Sequence, residues 1–275
     1  MKKSYKILSI ASILGLTAAL SGCQLLDQKS GTSESNKTSE QKTQSSSSQQ
    51  NSNDTADSSN QELTLKSEYF NDIKVVSGLK TIQNPENVLA LVNKEYALPG
   101  TYKPSDLVVP KVEFSFTEDI EKRYIRKVAA EALEKLFKGA KKKNFELAAV
   151  SGYRSYDRQK VIFDSEVKLK GKEKAQEAVA LPGESEHQTG LAIDISSKSA
   201  GFEISEKFGE TPDGKWVAKN AYKYGFIIRY PKGKEDITKY EYEPWHLRYV
   251  GKEAAKAMHD HDLTFEEYMN KVKKV

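Results

Sequence analysis

Residues 24–67 set where this chain can fold. The stretch consists of Ser, Thr, Gln, Asn and Lys with scattered acids, and it has no aromatic residue and almost no aliphatic one. Such a segment cannot bury enough apolar surface to offset the entropy lost on ordering it. A packed domain is therefore expected only downstream, over residues 67–275, and residues 23–66 read as a flexible polar tether.

Residues 1–22 have a different character. Lys2, Lys3 and Lys6 precede an apolar run from Ile7 to Leu20. The run is shorter than the roughly 20 apolar residues a stable membrane span needs, so it reads as an export signal. It ends in Leu20-Ser21-Gly22-Cys23, which resembles the lipobox of bacterial lipoproteins, where cleavage precedes a cysteine that takes up a diacylglycerol. Cys23 is the only cysteine, so no internal disulfide is possible and no thiolate remains for a metal. The domain is expected outside the cell, lipid-anchored through Cys23 to the membrane, in the wall space of a Gram-positive-like bacterium. The leader also explains most of the formal net charge of +4, because without its three lysines 40 basic residues face 39 acidic ones. That balance points to no nucleic-acid partner, and a monomer is expected.

Within the domain, residues 86–96 place Val88, Leu91 and Val92 on one helical face, and residues 102–110 read as loop or extended chain. The spacing over 117–142 predicts the longest helix. Thr117 suits an N-cap, and Glu118 and Asp119 suit the positive end of the dipole. Ile120, Tyr124, Val128, Leu133, Leu136 and Phe137 recur on one face, and Gly139 with Lys141, Lys142 and Lys143 is expected to end the helix. Strands are predicted over 145–150, 191–195, 226–230 and 245–249. Helices are predicted over 156–168, 172–180, 215–224, 252–260 and 264–272, with a polar loop over 181–190. Helices and short strands mixed without βα alternation predict an α+β domain.

Four histidines are present: His187, His246, His259 and His261. His187 precedes Gly190 and Asp194, and the glycine permits a sharp turn that brings the two side chains together. His246 follows Glu243 across Pro244, which stiffens the backbone between them. Two imidazoles and a carboxylate are enough for a catalytic zinc with one position left for water. A second, unbound carboxylate such as Glu243 could then serve as general base. The residues alone leave this open, since each is more often a packed or surface group. His259 and His261, on a polar C-terminal helix, read as exposed. Tyr153, Tyr230, Tyr242 and Trp245 read as core or cleft wall, with core favoured for Trp245.

Three stretches in order carry a resemblance. They are Ser151-Gly152-Tyr153-Arg154-Ser155, Ser185-x-His187-x-x-Gly190-x-Ala192-x-Asp194, and Glu243-Pro244-Trp245-His246. Together they resemble the VanY-type D-alanyl-D-alanine carboxypeptidases of the LAS group of zinc peptidases. Leu91-Val92-Asn93-Lys94, Leu98-Pro99 and Pro104-Ser105-Asp106-Leu107-Val108 look like the same family, so the likeness runs from about residue 89 to 250. It implies a small antiparallel sheet carrying a zinc site and flanked by helices, the fold of lysostaphin and the hedgehog signalling domain. It implies Zn2+ held by His187, Asp194 and His246, with Glu243 as catalytic base. Arg154 would bind the substrate's terminal carboxylate, and Gln159 and Ser185 match positions that help hold the peptide end. The implied reaction removes the C-terminal D-alanine of peptidoglycan stem peptides. The lipobox and tether extend the likeness to streptococcal L,D-carboxypeptidase lipoproteins, which favours tetrapeptides. The motifs do not separate this from D,D cleavage of pentapeptides, because they read the terminal D-alanine and not the residue before it.

Two other classes are weaker. Serine enzymes of the penicillin-binding type carry Ser-x-x-Lys with Lys-Thr-Gly. The first pattern occurs at Ser39–Lys42, Ser77–Lys80 and Ser165–Lys168, one of them in the tether, and no Lys-Thr-Gly follows. A non-catalytic wall-binding module would need no Glu243. A D,D-dipeptidase or endopeptidase of the same fold would differ in how its cleft closes around the peptide end.

Overall fold

Short strands and helices succeed one another without a βα rhythm from Thr64 onward. The computed structural model describes residues 63–275, so the expected leader, Cys23 and nearly all of the tether lie outside the described residues. The elements are β1 (Thr64–Leu65), β2 (Ile73–Val76), β3 (Leu79–Ile82), β4 (Tyr96–Ala97), β5 (Leu107–Val108), β6 (Ile125–Arg126) and α1 (Lys127–Lys141). They continue with β7 (Leu147–Ser151), α2 (Tyr156–Lys170), α3 (Lys172–Ala178), β8 (Ala192–Ser197), α4 (Lys207–Glu210) and α5 (Pro212–Asn220). The chain closes with β9 (Phe226–Tyr230), α6 (Glu235–Thr238), β10 (Glu243–Tyr249), α7 (Lys252–Asp260), α8 (Phe265–Lys271) and β11 (Lys273–Lys274). Pairing starts ahead of residue 67, because β1 lies parallel to β11. Leu63 and Leu65 pack there against the C-terminal cluster.

The central sheet has the order β7-β8-β10-β9 and is antiparallel throughout. Side chains alternate across it. Ile193, Ile195, Leu247 and Phe226 face α1, where Leu133, Leu136 and Ala140 are fully buried against them. Truncating either leucine to alanine costs about 2–5 kcal/mol, since the cavity left behind collapses only partly. The other face carries Asp194, His246, Arg248 and Arg229. Behind its edge, α7 and α8 pack Ala255, Met258, Phe265 and Tyr268 against Leu89 and Leu91 of the lead-in. This is the expected α+β arrangement, a small antiparallel sheet flanked by helices.

Three expectations fail locally. Residues 86–95 form turns and not a helix. Asparagine side chains compete for the backbone there: Asn87 Oδ1 accepts from the Leu89 amide, and Asn93 Oδ1 accepts from Glu95 and Tyr96. The carbonyls of Val88 and Ala90, which a helix would use internally, accept instead from Arg248. Helix α1 starts at Lys127, ten residues after Thr117. The carbonyls of Lys122 and Tyr124 accept from Gly152 and Tyr153, and Arg126 pairs with β5, so this segment is drawn into the sheet edge. Gly139 lies inside α1 and does not end it, in a spot where Tyr224 and Trp216 leave no room for a Cβ.

Candidate active site

Strand register assembles the site. Asp194 of β8 lies directly opposite His246 of β10 on one side and Ser151 of β7 on the other. The polar loop 181–190 then folds over this face and ends in a 3-10 turn, Glu186–Thr189. Gly190 closes the turn at φ 66°, a left-handed conformation, and a Cβ there would lie 2.9 Å from Leu107 and Arg126 side-chain atoms. The loop also ties itself down. Thr189 Oγ1 donates to the Glu186 carbonyl at 2.5 Å and accepts from the Leu191 amide at 2.9 Å. Gln188 Nε2 donates to the carbonyls of Pro99 and Tyr102, which fixes the loop to the lead-in.

His187, Asp194 and His246 come together as the sequence leads one to expect. Each offers a donor atom, and these atoms all lie within 4.8 Å of one another. All three residues are buried. His187 Nδ1 is 2.7 Å from the Gly152 carbonyl, which leaves Nε2 facing Asp194 Oδ2 at 3.4 Å. His246 is turned the other way. Its Nε2 lies 3.3 Å from Glu186 Oε2, and its Nδ1 lies 3.1 Å from Asp194 Oδ1. Each imidazole thus has one nitrogen held by an outer acceptor and the other turned towards Asp194, the arrangement seen around a bound cation. With two nitrogens and one carboxylate oxygen converging in a buried pocket, the donor set fits zinc.

Charges at the site follow from this packing. Burial lowers the His187 pKa below its ordinary value. Burial also acts to lower that of His246, but hydrogen bonds to Asp194 and Glu186 outweigh it and lift the value to about 9. Asp194, despite burial, is held far below the usual carboxylate range by His187 and His246. Glu243 has its carboxylate 3.8 Å from His246 Nδ1, on the donor side of the ring. Burial, against the pull of His246, pushes its carboxyl up to about 7. A carboxyl poised near neutrality beside these three donor groups has the proton affinity expected of a general base.

The remaining predicted residues surround a cavity of about 270 Å³ that contains this centre. Arg154 lies on its wall at the entry to α2, which Ser155 caps by accepting from the Arg158 amide. Gln159, almost fully buried, accepts from Arg154 Nη1 at 2.9 Å and donates through Nε2 to the Ala180 carbonyl at 2.7 Å. Its amide therefore aims the guanidinium. Ser185 is buried on the same wall. Tyr230 and Trp245 line the cavity, and Trp245 also packs on the core. Tyr153 and Tyr242 are not among the lining residues. His259 is exposed and stacks on Tyr222, away from the site, and His261 is exposed too.

Sequence reasoning missed Glu186, Arg229, Arg248 and Glu266. Glu186 Oε1 accepts from Arg229 Nε at 2.8 Å and Arg248 Nη1 at 2.7 Å, with all three side chains fully buried. Arg229 also forms a two-pronged pair with Glu266 of α8, at 2.6 and 2.9 Å. The available signal was an arginine at an inward position in each of two apolar strands, Phe226–Tyr230 and Glu243–Tyr249. A charge so placed demands a buried partner.

Comparison with known proteins agrees with this geometry. Residues 122–252 match the family model VanY: D-alanyl-D-alanine carboxypeptidase. YodJ of Bacillus subtilis (strain 168) is 65% identical over 280 residues, covering 100% of both chains. A solved LdcB LD-carboxypeptidase is 76% identical and superposes with a TM-score of 0.77, covering 78% of this chain and 100% of that one. A VanY D,D-pentapeptidase from a VanB-type resistance cassette, solved in complex with Zn(II), is 34% identical with a TM-score of 0.55, covering 66% of this chain and 99% of that one. The chain belongs to the VanY family of D-alanyl-D-alanine carboxypeptidases.

Proposed function

We propose that this protein is a zinc-dependent carboxypeptidase that removes the C-terminal D-alanine of peptidoglycan stem peptides, with the L,D bond of tetrapeptides favoured. The observation that carries the reading is one cavity holding three convergent metal donors, the Glu243 carboxyl beside them and the Arg154 guanidinium on the wall. His187 Nε2, Asp194 and His246 Nδ1 would hold the zinc, which would supply Lewis acidity to the scissile carbonyl and to a water. Glu243 takes the proton of the attacking water and returns it to the amine nitrogen of the departing D-alanine. Arg154, aimed by Gln159, grips the terminal carboxylate with parallel N–H donors and so limits cleavage to the last residue. Ser185 adds a hydroxyl on the same wall. Cys23 would carry the lipid anchor that holds a monomeric domain at the outer membrane face, with the polar tether giving it reach into the wall.

The likeness to the LdcB LD-carboxypeptidase supports the L,D preference. The likeness to a VanY D,D-pentapeptidase supports D,D cleavage of pentapeptides as the second reading. Hydrolysis of matched tetrapeptide and pentapeptide stems by the purified protein separates them. The tetrapeptide is expected to give a kcat/KM at least about tenfold higher, equal to roughly 1.4 kcal/mol. The reverse ratio would assign the protein to D,D cleavage.

A further inference from the structure

The structure assigns Glu186 as a positioning residue that sets which nitrogen of His246 faces the metal, braced by a buried charge ladder that reaches α8. The assignment rests on the reading of His187, Asp194 and His246 as metal ligands. An imidazole can present either nitrogen, and the hydrogen bond at one decides the role of the other. At His246 the only acceptor near Nε2 among the described contacts is Glu186 Oε2, at 3.3 Å. That contact keeps a proton on Nε2 when Nδ1, which faces Asp194 Oδ1 at 3.1 Å, gives up its own to a metal.

Glu186 can do this only if its own carboxylate is immobile. Its other oxygen accepts from Arg229 Nε and Arg248 Nη1, and no part of these three side chains meets solvent. Arg248 is fixed in turn by donating to the carbonyls of Val88 and Ala90 in the lead-in. Arg229 is fixed by Glu266 Oε1 and Oε2, and Asn93 Nδ2 donates to Glu266 Oε1 at 3.3 Å. Two carboxylates face two guanidiniums, so the ladder is neutral as a unit, as buried ions must be to persist. Val88, Ala90, Asn93 and Glu266 all lie outside residues 122–252, the part that matches the family model. The lead-in and the C-terminal helix therefore do more than add bulk to the core, because they hold the brace of a metal ligand.

The test uses Glu186→Asp in the full chain, with Leu136→Ala as a control that destabilises the core without touching the ladder. Aspartate keeps the charge that the two arginines need but cannot reach His246 as well. Two quantities are read. One is the Nε2–H resonance of His246 and its exchange rate, from long-range 1H–15N spectra of metal-free and zinc-loaded protein. The other is zinc affinity, from competition with a chromophoric chelator. Wild type is expected to show a slowly exchanging Nε2–H in both forms. Glu186→Asp is expected to lose that protection and to bind zinc about 10–100-fold more weakly. Leu136→Ala is expected to keep both despite a lower Tm. The assignment is overturned if Glu186→Asp retains wild-type protection and affinity, or if Leu136→Ala loses affinity to the same extent. If wild type binds no zinc at all, the metal reading fails, and the Nε2–H signal alone decides the role of Glu186.

Discussion

Arg154 offers the sharpest test of how the cleft chooses its substrate. One of its five N–H groups is used by Gln159 Oε1 at 2.9 Å, and another lies 3.5 Å from Ser151 Oγ. The rest are free to meet a carboxylate with two parallel hydrogen bonds. Hydrogen bonds to charged groups contribute about 1.5–3 kcal/mol each, so a bidentate grip contributes roughly 3–6 kcal/mol. Arg154→Ala is then expected to lower kcat/KM about 150- to 25,000-fold on a peptide ending in free D-alanine, and Arg154→Lys, which keeps one bond, about 10- to 150-fold. The decisive comparison is a peptide whose C-terminus is amidated. It lacks the charge, so wild type should cleave it poorly and Arg154→Ala should cost less than about tenfold. The four rate constants form a cycle that isolates the guanidinium–carboxylate term from any general damage. They are measured by chromatographic quantification of the released residue. An equal loss on both peptides would show that Arg154 supports the fold and does not read the terminus.

Zinc binding should release protons. In metal-free protein His246 stays protonated to about pH 9, while His187 has its pKa lowered by burial. Loading at pH 7 is expected to displace about one proton from His246 and part of one from Glu243, whose carboxyl titrates near 7. Calorimetry in buffers of different ionisation enthalpy counts them, and a count near zero would contradict this electrostatic account. The same raised pKa stabilises the metal-free fold. Because the folded value exceeds the unfolded one of 6.5, that contribution is complete below pH 6.5 and lost as pH rises through about 9. The Tm of metal-free protein should therefore fall across this window more than that of zinc-loaded protein, and parallel curves would argue against the role given to His246. Gly152→Ala should destabilise the domain, because the new Cβ would lie 2.5 Å from the Tyr124 carbonyl oxygen and 2.8 Å from Ile125. Overpacking of this kind costs about 1–3 kcal/mol, or roughly 2–12 °C in Tm. It should also loosen His187, whose Nδ1 bonds to the Gly152 carbonyl. An unchanged Tm and zinc affinity would refute that reading of the glycine.

The site was more legible in the sequence than the scaffold around it. His187, Asp194, His246 and Glu243 lie in short stretches whose resemblance to the VanY family can be read without the fold, although the residues taken alone leave their roles open. The four strands of the main sheet also stood out, because each is an apolar run with clear ends. The lead-in did not, since the apolar spacing of Val88, Leu91 and Val92 mimics a helix while the asparagines and Arg248 decide the backbone. The start of α1 failed for a similar reason, as long-range bonds from Gly152 and Tyr153 outweigh a plausible cap at Thr117. The buried ladder was invisible because its members, Glu186, Arg229, Arg248 and Glu266, are scattered along the chain and meet only through strand register and the docking of α8.

The most direct measurement is D-alanine release from a stem tetrapeptide by zinc-loaded protein and by Glu243→Ala at equal zinc occupancy, verified by elemental analysis. Glu243 lies beside the donors without being one of them, so its removal should leave the metal in place. Wild type is predicted to release one D-alanine per peptide, to stop when zinc is chelated, and to recover when it is restored. Glu243→Ala is predicted to hold one zinc and release D-alanine at least about 100-fold more slowly, the scale of a lost general base. Undiminished release by Glu243→Ala, or release by the metal-free protein, would contradict the account.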